Sequence, residues 1–126
     1  YRTGDVDIIV EGGIADIVRE VLREFSDFGL RIYLSKIREI SEKGIDIVGE
    51  TYNRRKPPLE IRVDSYQVYI VPPEEVVITY LEAWKFCGST EDRNKAVLVY
   101  CSQLPVIDKA YLEAESKRKD VKDYLE

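Results

Sequence analysis

The chain has 126 residues, 44% of them hydrophobic and 34% charged, with a formal net charge of −5 and no histidine. That length holds one domain with its own core, and the acidic balance argues against a protein whose main task is to coat nucleic acid. The missing histidine excludes His-based acid–base catalysis and His-ligated zinc, so any catalysis must run on carboxylates, lysine, tyrosine or a metal.

The opening run, Tyr1-Arg2-Thr3-Gly4-Asp5-Val6-Asp7-Ile8-Ile9-Val10, reads as a β-strand carrying two acids one residue apart. Strand side chains alternate, which puts Asp5 and Asp7 on one face and Val6 and Ile8 on the other. Two such acids are tolerated at a solvated strand end or around a divalent cation, and a hard cation such as Mg2+ keeps open positions for substrate phosphates. Asp-x-Asp is short enough that both readings stand.

Gly12-Gly13 then marks a turn, and Ile14, Ile17, Val18, Val21, Leu22 and Phe25 recur at helical spacing. Leu30 to Leu34 alternates as a short strand, and Ser35 can cap a helix bearing Ile37 and Ile40 that Gly44 ends. Ile45-Asp46-Ile47-Val48 reads as a core strand around one acid. Thr51 to Pro58 is a polar loop containing the only compact basic run, Arg54-Arg55-Lys56, which is either solvated or a patch for an acidic acceptor or RNA.

Leu59 to Val71 alternates twice around Asp64-Ser65, the signature of a β-hairpin. Pro72-Pro73-Glu74-Glu75 opens a helix, with proline in the first turn and acids at the positive end of the dipole. Val76, Val77, Tyr80, Leu81 and Trp84 give that helix an apolar face, and Gly88 ends it. Here Trp84 is either core or a base-stacking ring, and Lys85 either a solvated neighbour or a phosphate contact. Ser89 and Asp92 resemble a capping box for a helix through Ala96, Val97, Tyr100 and Cys101, stopped by Pro105. Asp108 caps a last polar helix expected to run from about Lys109 to the terminus and beyond.

The predicted class is α/β (α+β): a small mixed β-sheet flanked by helices, with a helical C-terminal third. A single domain spans 1–126, with a sheet core over about 1–71 and helices over about 72–126. Cys87 and Cys101 lie in apolar contexts and are expected to be small buried hydrophobes of a protein in a reducing, cytoplasmic compartment. No apolar run approaches the roughly 20 residues that span a bilayer, and no signal-peptide pattern opens the chain, so no membrane role is expected. The start at Tyr1 and the lack of methionine suggest a piece of a longer sequence.

If the strand of Asp46 lies beside that of Asp5 and Asp7, three carboxylates converge in the arrangement two-metal phosphoryl transfer needs. From spacing alone, a strand-end acid bonded to a backbone amide is the simpler account of Asp46. Arg2-Thr3-Gly4-Asp5-Val6-Asp7-Ile8-Ile9-Val10 resembles the R-T-x-D-[IV]-D-[IL] strand of the minimal nucleotidyltransferases of the polymerase-β-like superfamily. Ile45-Asp46-Ile47-Val48 falls where that family has its third acid. Ile70 to Glu75 leading into Tyr80 to Lys85 is similar to its "PEE…K-x-A" passage, and Glu91 to Lys95 to the turn before its next helix.

That resemblance implies a nucleotidyltransferase fold and a magnesium-dependent, ATP-binding transferase. It would move a nucleoside monophosphate from a nucleoside triphosphate, ATP foremost, to a hydroxyl of a protein or RNA acceptor. Asp5, Asp7 and Asp46 would be the catalytic and metal-binding acids, and Arg2 and Thr3 would flank the triphosphate. The family's glycine-rich phosphate loop precedes its Asp pair, where this chain has not yet begun, so a segment before Tyr1 is expected. The alternative is an inactive member of the same fold that acts as a binding or antitoxin-like partner of a helical toxin-like protein; a homodimer is also compatible.

Overall fold

The computed structural model describes residues 5–28, 33–35 and 44–126. The chain divides into two compact units, Tyr1–Asn53 and Arg54–Glu126. Its architecture is mixed α+β, with small sheets and five helices among the described residues. No helix among them is long and apolar enough to cross a membrane.

In the first unit, β1 (Asp5–Ile9) leads through a turn at Gly12 and Gly13 into α1 (Ala15–Phe25), followed by β2 (Ser26–Phe28), β3 (Tyr33–Ser35) and β4 (Gly44–Gly49). Gly12 and Gly13 have φ of 87° and 69°, the left-handed region where glycine carries no Cβ penalty. The sheet order is β1-β4-β3-β2, with β1 and β4 parallel and the other two pairings antiparallel. This is the mixed sheet that the alternation of strand and helix signals implies. The predicted helix over Ile37 and Ile40 lies outside the described residues.

Two contacts fasten the ends of the parallel pair. Val10 N–H donates to the Gly49 carbonyl at 2.9 Å, and Tyr52 N–H donates to the Glu11 carboxylate at 2.6 Å. Ala15 at the start of α1 is buried, whereas Ile14 just before the helix and Ile17 and Val21 on it, all of the predicted apolar stripe, are exposed. Arg19 pairs with Asp16 and Arg23 with Glu20 one turn away, an exposed lacing that adds only a few tenths of a kcal/mol per pair.

The second unit holds the hairpin β5 (Leu59–Val63) and β6 (Tyr66–Ile70), then α2 (Pro73–Cys87), α3 (Thr90–Gln103), α4 (Lys109–Arg118) and α5 (Lys122–Leu125). The hairpin is a two-stranded sheet of its own, turned through Asp64 at φ 54°. Val77, Ile78 and Leu81 of α2 meet Ala96, Ile107, Leu112 and Val121 in the core, with Tyr80, Trp84, Tyr100 and Tyr124 packed around them. Helix α2 is central because its apolar residues recur every three to four positions.

Helix boundaries follow local chemistry. Gly88 ends α2 at φ 68°, its N–H donating to the Trp84 carbonyl at 3.1 Å while Ser89 N–H reaches back to Ala83 at 3.3 Å. The Ser89 hydroxyl accepts from Asp92 N–H, which is one half of the expected capping box. Asp92 completes no reciprocal bond, because the Ser89 amide is already committed to Ala83. The Asp108 carboxylate caps α4 by accepting from Tyr111 N–H at 3.0 Å.

The single last helix expected from the sequence is instead two. Asp120 adopts φ 58°, Val121 N–H donates to the Ser116 carbonyl at 2.8 Å, and Asp120 N–H donates to Lys117 at 3.2 Å. This pair of bonds is the Schellman closure, with aspartate where glycine is usual. Its consequence is burial: Val121 is 0% exposed, and the chain turns so that Tyr124 packs edge-on against Trp84 at 4.3 Å.

Glu74 and Glu75, placed by the sequence at the positive end of the helix dipole, are almost fully buried, at 2% and 1% exposure. Burying a carboxylate is costly unless it is paired and hydrogen-bonded. Glu74 accepts from Asp108 N–H at 2.7 Å and meets the Lys56 ammonium at 3.1 Å. Glu75 accepts from Lys56 N–H at 3.2 Å and from the Tyr111 hydroxyl. Arg55 lies 3.7 Å from Glu115, itself gripped by Arg118, and Arg54 lies 3.9 Å from Glu82. The run stays at the surface, with the Arg55 side chain 63% exposed. It neutralises acids of α2 and α4.

Burial pushes the Glu74 carboxyl up, but the Asp108 amide and Lys56 outweigh it and hold the group below its ordinary value of 4.5. The Arg118 guanidinium likewise holds Glu115 down. A carboxyl depressed in the folded state adds stability above its unfolded pKa that is lost as pH falls through the folded value. The midpoint of urea unfolding should accordingly fall between about pH 6 and about pH 3, and Glu74→Gln should flatten part of that slope; an identical slope in the variant would contradict the role given to Glu74. Separately, Gly88→Ala adds a Cβ that meets nothing within 4 Å, so its cost is conformational. Denaturant titration should register a loss of about 1 kcal/mol.

Candidate functional site

The parallel pairing of β1 with β4 sets the geometry of the acids. Its register places Asp7 opposite Asp46, with Val6 opposite Ile45 and Ile8 opposite Ile47, while Asp5 lies opposite Gly44. Paired residues of neighbouring strands share a face, and the strands are about 4.8 Å apart. Asp7 and Asp46 therefore stand side by side on one face of the sheet. Asp7 is exposed and Asp46 half-buried, so the pair lies where solvent and a ligand can reach it.

The local sequence accounts for this register. Ile45 and Ile47 alternate with Asp46 as Val6 and Ile8 alternate with Asp7, so both strands carry the same apolar–acid–apolar pattern. A slip by one residue would oppose an isoleucine to an aspartate on each face. Beyond the pair the register shifts between Ile8 and Ile9, with Val48 as the extra residue of β4. Bulges of this kind add local twist and re-aim the chain next to functional positions.

Two carboxylates in register repel unless a positive charge offsets them, and their oxygens are the donor type that Mg2+ prefers. In donor chemistry the pair fits a divalent cation. Among the described residues, no group of three or more His, Cys, Asp or Glu side chains is gathered as a metal cage. What the described residues set in register is a pair of carboxylates, with Asp5 two positions before Asp7 on the same strand. Arg2 and Thr3, the residues assigned to flank a triphosphate, lie outside the described residues.

Lys85 belongs to the second unit, and its ammonium is engaged there. It donates to the Asp120 carbonyl at 2.6 Å and to the Asp123 carboxylate at 3.1 Å. Its pKa is raised, chiefly by that hydrogen bond to Asp123. Lys85 thereby ties α2 to the last helix. Trp84 beside it packs against the core, with Tyr124 at its edge and the Arg93 guanidinium 5.4 Å from its ring centre. Val77, Leu81, Trp84, Arg93 and Tyr124 line part of an open, mainly apolar cleft of about 280 Å³.

Cys87 and Cys101 are both free and exposed, contrary to the buried positions expected of them. Helix phase explains the difference. Cys101 lies five residues beyond the buried Ala96, about 140° round the helix axis, and Cys87 follows the exposed Phe86 at the end of α2.

Comparison with known protein families, with curated proteins and with solved structures returns no match. The sheet register and the chemistry of its acids are what the functional reading rests on. Asp46→Ile should leave the sheet folded, since isoleucine already flanks that position and favours strands. Circular dichroism should show wild-type secondary structure, whereas titration with Mn2+ should show affinity reduced about tenfold or more. Unchanged Mn2+ binding would remove Asp46 from the site.

Proposed function

We propose that this chain is a metal-dependent nucleotidyltransferase, moving a nucleoside monophosphate from a nucleoside triphosphate, ATP foremost, to a hydroxyl on a protein or RNA acceptor. The observation that carries the reading is Asp7 standing in register with Asp46 on adjacent parallel strands. The resemblance of Arg2 to Val10 and of Ile45 to Val48 to the minimal nucleotidyltransferases supports it independently of that geometry. Two free, exposed thiols agree with work in a reducing compartment such as the cytoplasm.

In this reading Asp5 and Asp7 would hold Mg2+, and Arg2 and Thr3 would flank the phosphates of the triphosphate. The bound cation supplies positive charge against the acids and the developing charge on phosphate oxygens. Asp46 accepts the proton as the acceptor hydroxyl oxygen bonds to the α-phosphorus. The bond from that phosphorus to the bridging oxygen breaks, and pyrophosphate leaves with the electron pair. Lys85 is left out of this chemistry because its ammonium is already held by Asp120 and Asp123.

The test is transfer of label from α-phosphate-labelled ATP to candidate proteins and RNA in the presence of Mg2+. Asp46→Asn should lower transfer by roughly 100- to 10,000-fold, the range for loss of a general base. Calorimetry should show that Asp7→Asn abolishes Mg2+-dependent ATP binding. Binding of ATP that is indifferent to Asp7, or label transfer unchanged in Asp46→Asn, would end the proposal.

A further inference from the structure

The hairpin of the second unit has one face made entirely of apolar side chains. Its register pairs Leu59 with Ile70, Ile61 with Val68 and Val63 with Tyr66 on that face, and Glu60 with Tyr69 and Arg62 with Gln67 on the other. All ten residues are exposed, with Ile61 and Val68 at 41% and Tyr66 at 72%. Among the described residues, neither strand pairs with any strand but the other. An isolated two-stranded hairpin is marginal in water, and such an edge is a template for further pairing.

The outer edge of β5 is complementary to itself. In a hairpin closed by a two-residue turn, the flanking pair Val63 and Tyr66 exchanges backbone hydrogen bonds, and the bonded pairs then alternate. Ile61 and Leu59 thus bond inward to β6, which leaves the amides and carbonyls of Glu60 and Arg62 pointing outward. An antiparallel pairing of β5 with a second β5 about a two-fold axis through Ile61 sets Glu60 of each copy against Arg62 of the other. Those outward groups then bond to one another. Arg62 has no ion-pair partner among the described residues, and Glu60 accepts only from the neutral Gln67 amide.

The alternatives lack this match. Pairing β6 with its own copy about Val68 sets Gln67 against Tyr69 and gains no opposite charges. Pairing β5 with β6 of another copy is heterologous and leaves an open edge for each chain added. The β5 pairing closes on itself. It also brings Ile61 against its counterpart and Leu59 against Val63, covering part of the apolar row laterally.

We infer that the chain self-associates into a two-fold dimer through antiparallel pairing of Leu59–Val63 with the same strand of a second copy. The paired surface is smaller than that of standard stable interfaces, so the dimer is weak and concentration-dependent, with a dissociation constant in roughly the micromolar range or above. The inference does not depend on the nucleotidyltransferase reading.

Sedimentation equilibrium from about 10 µM to about 1 mM chain tests it. Wild type should pass from monomer to dimer over that range. Glu60→Arg and Arg62→Glu alone should each raise the dissociation constant about tenfold or more, since each replaces two attractive pairs with two repulsive ones. An equimolar mixture of the two variants should dimerise, because the doubly basic strand then faces the doubly acidic one. The double swap should recover wild-type association. Circular dichroism on each variant separates loss of pairing from loss of the hairpin. A wild type that stays monomeric across the range, a higher oligomer, or folded single variants that associate as wild type does would overturn the inference.

Discussion

The parallel pairing of β1 with β4 is the constraint that sets Asp7 beside Asp46. Parallel neighbours cannot be joined by a tight turn, so the strands of Asp7 and Asp46 meet only after the chain has crossed back over intervening structure. The contacts from Val10 to Gly49 and from Glu11 to Tyr52 then fix the ends of the pair. With a period of two, one residue of slip would turn Asp46 to the other face from Asp7 and leave each acid among apolar side chains. Whether the two acids stand together is thereby a question of register.

The second unit handles charge in another way. In the first unit two acids stand side by side at an accessible position; in the second, acids are buried and held by neighbouring donors and cations, with Glu74 Oε2 and Glu75 Oε2 left without a hydrogen-bond partner. Glu74, Glu75 and Glu115 lie at 1 to 2% exposure, matched by Lys56, Tyr111, Arg118, Arg55 and the Asp108 amide. Replacing such a set with apolar groups would often cost little, while removing one partner leaves an uncompensated buried charge. The network therefore fixes geometry: it fastens the segment at Arg54 to Lys56 to α2 and α4, and the start of α4 to the first turn of α2.

Most of the fold was legible because its boundaries are set by local chemistry. Gly88, Ser89, Asp108 and the Asp64 turn each act within a few residues, and each does in space what its sequence context implies. The break at Asp120 was not legible, because an aspartate in the left-handed region is stabilised by what it lets Val121 and Tyr124 bury far along the chain. The burial of Glu74 and Glu75 was not legible for the same reason. Acids after prolines read as helix-dipole partners, and their burial depends on Lys56 and Tyr111, well before and well after them in sequence. Of the candidate site, the apolar–acid–apolar pattern of both strands was visible, but which residue opposes Asp46 is a tertiary fact.

The most direct measurement is the paramagnetic broadening of backbone amide signals by Mn2+ in the presence of ATP. Broadening should centre on residues of Asp5–Ile9 and Gly44–Gly49 and be abolished by Asp46→Asn. Broadening that leaves both strands untouched, or that persists unchanged in the Asp46 variant, would contradict it.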